Sequence, residues 1–457
     1  MANTEDLIGE IETLDGLISH SLDSFEDDRI AYLRRSAFQG NDTLKSVTLP
    51  FCRETIANSF YNCYRIEDVS IPLVSILNQD DFSNCYKLKN LSIPLLTNLN
   101  RERVFSHCYS LNSLDFSKVT RVYANSLRHS GFGKIILSSC TTLGAMGENV
   151  RLSTIDLGKQ IAITGSNFAN VCSLCHLILR SESMCTLSGS SAFENTPIAN
   201  GIGWIYVPSD LVESYKTASN WSAYASQIVS IDEYPKSLQN ETISDSWGQI
   251  FASCDNNTYK TKYSVGDIKY LVVGDTYVPM QIVAFDRDIL SSDGVSTAKI
   301  TWISTGASFV YKMNFSNSSV NGWENCECRD FLRNTIYPQI DSVVRNRIVP
   351  VNKTYNYRAE ATSATTTTGE LSDTVWIPSV REIFGQTSES FGVDYADFFN
   401  STAKKQKAYG MTLPSIYWWT RTIHANATFF SYIDVSGNRG NAGASGSYGI
   451  VLGFCTN

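Results

Sequence analysis

The sequence predicts an α+β multidomain protein: an N-terminal helix, a solenoid of short strands, and a separate C-terminal domain built of strands and turns. Three observations carry this. Phe38, Phe60, Phe82, Phe105 and Leu127 recur at intervals of 22, 22, 23 and 22 residues. A polar stretch, 232–246, separates the repeats from sequence of a different, turn-rich composition. The closing stretch from Tyr417 to Asn457 sets Asn, Ser, Thr, Gly, Ala and Tyr between short apolar runs, with almost no charge.

Residues 1–36 form the first element. Leu7, Ile11, Leu14, Ile18 and Phe25 fall on a heptad-like stripe over 3–28, and Leu17 and Leu22 widen it. Nine acidic residues and one arginine cover the rest of 1–30. Gly9 and Gly16 each cost a helix about 1 kcal/mol. Such a helix needs a partner surface, either the neighbouring domain or another copy in an oligomer.

Residues 37–231 form the second. Ser59–Pro72, Asp81–Pro94 and Val104–Ser117 are copies of one unit, and degenerate copies continue through 149–158, 167–181 and 191–198. A period of this size means stacked turns that bury one apolar column after another. Each turn contributes a strand, such as Val69–Ile71, Leu91–Ile93 or Leu114–Phe116. Cys63, Cys85 and Cys108 hold one repeat position, after Asn62, Asn84 and His107. Stacking makes them a ladder of small buried side chains. Cys172 and Cys175 form a C-x-x-C inside a repeat, with no second pair at zinc spacing. The pattern A/S-F-x-x-C-x-x-L-x-x-[VIL]-x-[IL]-P resembles the BspA-like class of leucine-rich repeats over about 37–207, a class found on bacterial surfaces and in phage structural proteins. Residues 203–231 look like the end cap of that class: a strand Ile205–Val207, a helix near Asp210–Thr217, then Trp221.

Residues 232–246 read as a linker. From 247 the strand candidates are 269–274, 278–285 and 298–304. Residues 325–348 have helical period with a break near Pro338, 359–369 reads as a mobile Thr/Ser/Ala run, and 375–385 reads as a strand end, a proline at a helix start and a short helix.

Composition bounds the function. The chain has 457 residues, a net charge of −8 and no basic block, so nucleic acid is not the expected partner. No apolar run reaches the roughly 20 residues of a membrane span. The first residues carry neither a basic nor an apolar signal region, so the expectation is a protein folded in a cytoplasm. Twelve cysteines do not require a disulfide framework in a chain this long.

The closing stretch carries the functional expectation. Tyr supplies contact area at low entropic cost, and Ser, Gly and Asn supply adaptable hydrogen bonding, as a recognition surface needs. Catalysis calls for convergent His, carboxylate or Lys groups, and His424 is the one histidine after residue 240. Several motifs of 247–457, among them W-I-P-S-V-R-E-I-F, W-W-T-R-T and G-I-V-L-G-F, resemble the C-type-lectin subclass shared by formylglycine-generating enzymes and the variable proteins of diversity-generating retroelements. That resemblance implies a C-type-lectin-like domain whose two closing strands frame a ligand surface. Trp418, Trp419, Arg421, Gly449 and Gly453 would be frame. Tyr417, Thr422, His424, Asn426, Thr428, Asn438, Asn441, Ser445, Ser447 and Tyr448 would bind ligand. The enzyme branch uses a late cysteine pair; here Cys455 stands alone, and Cys326 and Cys328 point to different helix faces. Asp286, Asp288 and Asp293 read as solvated turn acids rather than calcium ligands.

The expected function is non-enzymatic: a phage tail receptor-binding protein on the virion that recognises a host bacterial surface receptor, protein or glycan. The N-terminal segment would join tail proteins or form a homo-oligomer, with no cofactor, no metal and no membrane insertion. The alternatives are a bacterial surface adhesin of the same design and, third, a formylglycine-generating-type oxidase.

Overall fold

A computed structural model describes residues 22–159, 161–363, 365–385, 393–411 and 413–457. The chain divides into two compact units, Met1–Gln239 and Asn240–Asn457. Leu7, Ile11, Leu14 and Ile18 lie outside the described residues. Phe25 does not continue a helix. It sits in a strand, Ser24–Glu26, paired in parallel with Ser46–Thr48. Its ring meets Phe38 edge-on at 5.4 Å, so the first rung of the solenoid starts before residue 37. An apolar residue flanked by polar ones fits either a stripe or a strand, and the neighbouring rung decides between them.

The rungs stack in the register that the repeat predicts. Ser24, Ser46, Asp68 and Asn90 are successive partners in one parallel sheet. A second parallel sheet takes Lys134–Leu137, Thr154–Leu157, His176–Leu179, Trp204–Val207 and Ile228–Ser230. The expected strand at Leu114–Phe116 is absent. Asp115 there accepts the Ser117 N–H at 2.8 Å, a local turn that competes with the ladder. Inside, Phe38, Phe60, Phe82 and Phe105 form a column of stacked rings with centroids 5.1, 4.9 and 5.8 Å apart.

The cysteine ladder runs beside this column. Cys63, Cys85 and Cys108 are buried and form no disulfide among the described residues. Each thiol donates to a phenylalanine carbonyl of the preceding turn: Cys63 to Phe38 at 2.9 Å, Cys85 to Phe60 at 3.1 Å and Cys108 to Phe82 at 3.0 Å. The residues before them, Asn62, Asn84 and His107, have φ of 63°, 64° and 61°. This left-handed turn favours Asn and tolerates His. Cys172 and Cys175 donate to Asn170 and Ser173 carbonyls, and burial pushes both thiols well up.

At the far end Val212–Thr217 forms the cap helix. Trp221 is buried edge-on to Tyr215 at 5.1 Å and donates its indole N–H to the Cys185 carbonyl. The polar stretch after it is partly structural. Ser237 O accepts from Trp204 Nε1 at 2.9 Å, Lys236 N donates to Tyr206 Oη at 3.0 Å, and Leu238 and Ile243 are buried.

The second unit holds two main sheets. The first runs Ile268–Val273, Thr276–Phe285, Ile300–Ser304, Gly453–Thr456, Val375–Trp376. The second runs Phe309–Lys312, Ser447–Ile450, Trp418–Ile423, Phe429–Ile433, Arg439–Gly443. The apolar run Gly449–Phe454 is therefore not one strand. It passes from one sheet to the other through Val451 and Leu452, both fully buried. Thr367–Asp373 is a strand paired with Val351–Tyr357, which places Gly369 in a ladder rather than a loose run. Residues 325–348 give a helix Glu327–Phe331, a wide turn over Leu332–Ile336, and a second helix Ser342–Arg345 beyond Pro338. Ser379 and Glu382 form a capping box that starts the Val380–Phe384 helix.

Candidate recognition face

The second sheet sorts the expected surface residues by strand alternation. Tyr448 pairs with Tyr311, Trp419 with Tyr432, and Tyr432 with Gly440. These residues share one face with Tyr417. Trp419 is fully buried and anchored by its indole N–H to the Tyr311 carbonyl at 3.2 Å. Tyr448 lies 4.5 Å from the Trp419 ring. Above this base Tyr417, Tyr432 and Tyr448 touch one another, with centroids 5.2 Å apart for Tyr417–Tyr432, 5.7 Å for Tyr417–Tyr448 and 5.2 Å for Tyr432–Tyr448. Tyr417 is 41% exposed, and the other two are half-buried. Gly440 makes the arrangement possible, since a Cβ there would stand 2.4 Å from Tyr432 Cζ.

The remaining candidates do not converge on this cluster. Asn441 is on the opposite face, where its Oδ1 accepts from Ser431 Oγ at 2.9 Å, and Arg439 donates to the same Oγ at 3.1 Å. Ser447 is exposed and alternates with Tyr448, so it too faces away. His424, Asn426 and Thr428 form the hairpin between Trp418–Ile423 and Phe429–Ile433. There His424 Nδ1 accepts the Asn426 N–H at 3.1 Å, and Asn426 Oδ1 accepts from Thr428 N and Oγ1 at 3.0 and 2.8 Å. Ser445 is near that end, next to Ala444, whose N–H donates to the Thr428 carbonyl. Asn438 is at the other end of Phe429–Ile433, in the turn closed on Asp434 Oδ1. A strand of that length puts about 15 Å between the two ends. Thr422 is no surface residue: it is 3% exposed and its Oγ1 accepts the Val380 N–H at 3.0 Å. It faces the capped helix rather than solvent.

Trp418, Trp419, Arg421, Gly449 and Gly453 are all buried. Gly449 allows close approach, since a Cβ would meet Ala307 Cβ at 2.6 Å. Arg421 opens onto a buried charge network that the sequence did not reveal. Its Nη1 donates to Glu382 Oε2 at 2.6 Å and to the Ile377 carbonyl at 2.7 Å. Glu382 Oε1 takes Lys353 Nζ at 2.9 Å, and Lys353 also donates to Asp288 Oδ1 at 2.5 Å and to Tyr395 Oη at 2.7 Å. Two cations thus offset two carboxylates. Burial alone would raise both carboxyls, but Lys353 beside Asp288 and Arg421 beside Glu382 hold them below the ordinary range. Asp288 is therefore a fully buried ion-pair member, not a solvated turn acid. Asp286 takes the Tyr259 hydroxyl and Lys260, and Asp293 caps its own turn through the Val295 and Ser296 N–H groups at 2.9 Å. No cluster of three metal-ligating side chains occurs among the described residues.

Sequence reasoning missed Tyr432, Lys353 and Glu382 as members of these groups. Tyr432 carried a signal: in Phe429–Ile433 it alternates with Ser431 and shares parity with Phe430. Lys353 and Glu382 carried none, because their partners come from segments far away in the chain.

The comparisons with known proteins follow this division. A family model of the BspA type leucine-rich repeat region matches residues 20–132 in six copies. The N-terminal region is a BspA-type leucine-rich repeat solenoid. A model described as a domain of unknown function, DUF6273, matches residues 295–455. No curated protein matches the chain. Among solved structures, a leucine-rich cell surface protein from Faecalibacterium prausnitzii is 16% identical, with a TM-score of 0.27 over 41% of this chain and 69% of that one. A leucine-rich repeat protein from Bacteroides ovatus is 17% identical, with a TM-score of 0.24 over 39% of this chain and 43% of that one.

Proposed function

We propose that this chain is a surface-attachment protein. The leucine-rich repeat solenoid serves as its shaft. The second unit, read as a C-type-lectin-like domain, makes the specific contact. The observation that carries the reading is the cluster of Tyr417, Tyr432 and Tyr448, in mutual contact and seated on the buried Trp419 ring. Partly exposed tyrosines on a rigid base form a pre-organised contact surface, and ordering costs little because the rings are already held. The exposed Asn426, Asn438, Asn441 and Ser447 would be peripheral or variable positions. Two settings fit the BspA-type repeats: a phage tail, where the partner is a host-cell receptor, and a bacterial cell surface.

The full chain, fluorescently labelled, is to be tested on a panel of bacterial cells. Tyr417→Ala and Tyr448→Ala should each weaken attachment by one or two orders of magnitude, because a few aromatic residues dominate such surfaces. Asn438→Ala should leave it unchanged. Attachment indifferent to both tyrosines would move recognition elsewhere, to the solenoid first. Antibody labelling of purified virions and washed cells decides between the settings.

A further inference from the structure

We propose that the Tyr417–Tyr432–Tyr448 face takes an uncharged carbohydrate. Sugar rings would lie with their C–H faces on the tyrosine rings, and their hydroxyls would hydrogen-bond to the phenol oxygens. This rests on the recognition reading above and narrows it to one ligand chemistry.

Four observations point the same way. The phenol hydroxyls of all three tyrosines have no hydrogen-bond partner in the protein among the described residues. Each is both donor and acceptor, as a sugar hydroxyl is. Neither basic residue of the adjoining strands, Arg439 or Lys312, is on this face. Arg439 turns to Ser431 on the opposite side, and Lys312, partner of Ser447, alternates away from Tyr311 and Tyr448. An anionic polymer would gain no contact from either cation. The rings are in contact at 5.2–5.7 Å, so they make a filled platform and not an open cage around a cation. Size is the last. Three rings at these exposures present on the order of 200 Å². A stable protein interface needs about 800 Å² per partner. One or two sugar rings match the smaller figure.

The test uses the full chain against immobilised mannan, galactan and β-glucan, a proline-rich peptide, and intact cells before and after mild periodate or protease. Binding to at least one neutral polysaccharide is expected. It should fall 10- to 100-fold in Tyr417→Ala and up to 10-fold in Tyr417→Phe, which keeps the ring and loses the hydroxyl. The thermal midpoint should be unchanged in both, and periodate should abolish cell attachment. Tyrosine-dependent attachment that survives periodate and is lost on protease treatment, or tight binding of the proline-rich peptide, overturns the carbohydrate and leaves the recognition face standing. Attachment unaffected by any of the three tyrosines, or no binding to cells or polysaccharides, overturns both.

Discussion

Arg421 and Glu382, 39 residues apart in sequence, meet at 2.6 Å with both side chains at most 2% exposed. Arg421 belongs to the strand that carries Trp418 and Trp419, and Glu382 to the capped helix. The pair therefore fixes the strand under the tyrosine face to a helix outside its sheet. Arg421→Ala should cost about 3–5 kcal/mol, because Glu382 keeps its charge in a dry site. Chemical denaturation monitored by tryptophan fluorescence would show this. A loss under 1 kcal/mol would mean that water enters and solvates Glu382. Arg421→Lys should recover part of the loss, since it restores the charge but not the guanidinium's bonds to the Thr354 and Ile377 carbonyls.

Phe82 is the centre of the ring column, stacked between Phe60 and Phe105. Phe82→Ala should cost about 3–5 kcal/mol. Because solenoid turns are coupled to their neighbours, protection from hydrogen exchange should fall at Phe60 and Phe105 as well as at residue 82. Exchange unchanged on both sides would show that the turns melt independently.

Asp81 is fully buried, and burial pushes its carboxyl up to about 7 despite hydrogen bonds from Thr55 Oγ1 and the Asn78 and Ser59 N–H groups. The folded chain thus holds a proton that the unfolded chain releases near pH 4. The stability due to this group is complete below pH 4 and is lost as pH rises through 7. Measured against Asp81→Asn, the wild type should lose roughly 1–3 kcal/mol of stability between pH 5 and pH 8. The comparison is with that variant because His176, which burial brings down to about 4, acts with the opposite sign over the same window in both chains. A difference between the two chains that stays level from pH 5 to pH 8, followed by exchange at residues 60–105, would show that Asp81 stays ionised.

Lys407 gives the opposite sign. It is 3% exposed, donates to the Ser304 carbonyl at 3.0 Å, and pairs with no carboxylate among the described residues. Burial brings its amine down to about 7. Unfolding therefore takes up a proton between pH 7 and 10.5, so stability falls as pH drops through that window and levels off below 7. Lys407→Met should stabilise the protein at pH 7 by roughly 1–3 kcal/mol, with the gain shrinking toward pH 10. A Met variant less stable at both pH values would show that the bond to Ser304 outweighs the burial of the amine.

What the sequence disclosed depended on whether a residue's partner could be inferred from the repeat. Cys63, Cys85, Cys108 and the phenylalanine column were legible because translation by 22 residues reproduces each contact. The cap with Trp221 followed the same logic. Phe25 was not, because helical and strand patterns coincide over so few residues. Asp288 and Thr422 read as exposed because polar residues usually are; Lys353, Tyr395 and the Val380 N–H, which make them interior, are far away in sequence. Tyr448 and Asn441 looked like neighbours on one surface, whereas strand pairing puts them on opposite sides of a sheet.

The corner at Val451–Leu452 has a consequence for biosynthesis. Gly453–Thr456 lies inside its sheet, between Ile300–Ser304 and Val375–Trp376. Neither neighbour can be joined until those residues have cleared the ribosome. Each rung of the solenoid, by contrast, can settle on the one before it as translation proceeds. A nascent chain halted just short of residue 449 would carry a finished solenoid and a second unit with an unfilled slot in each of two sheets. Such a slot is a row of unpaired N–H and C=O groups that chaperones, or a neighbouring nascent chain, would meet first.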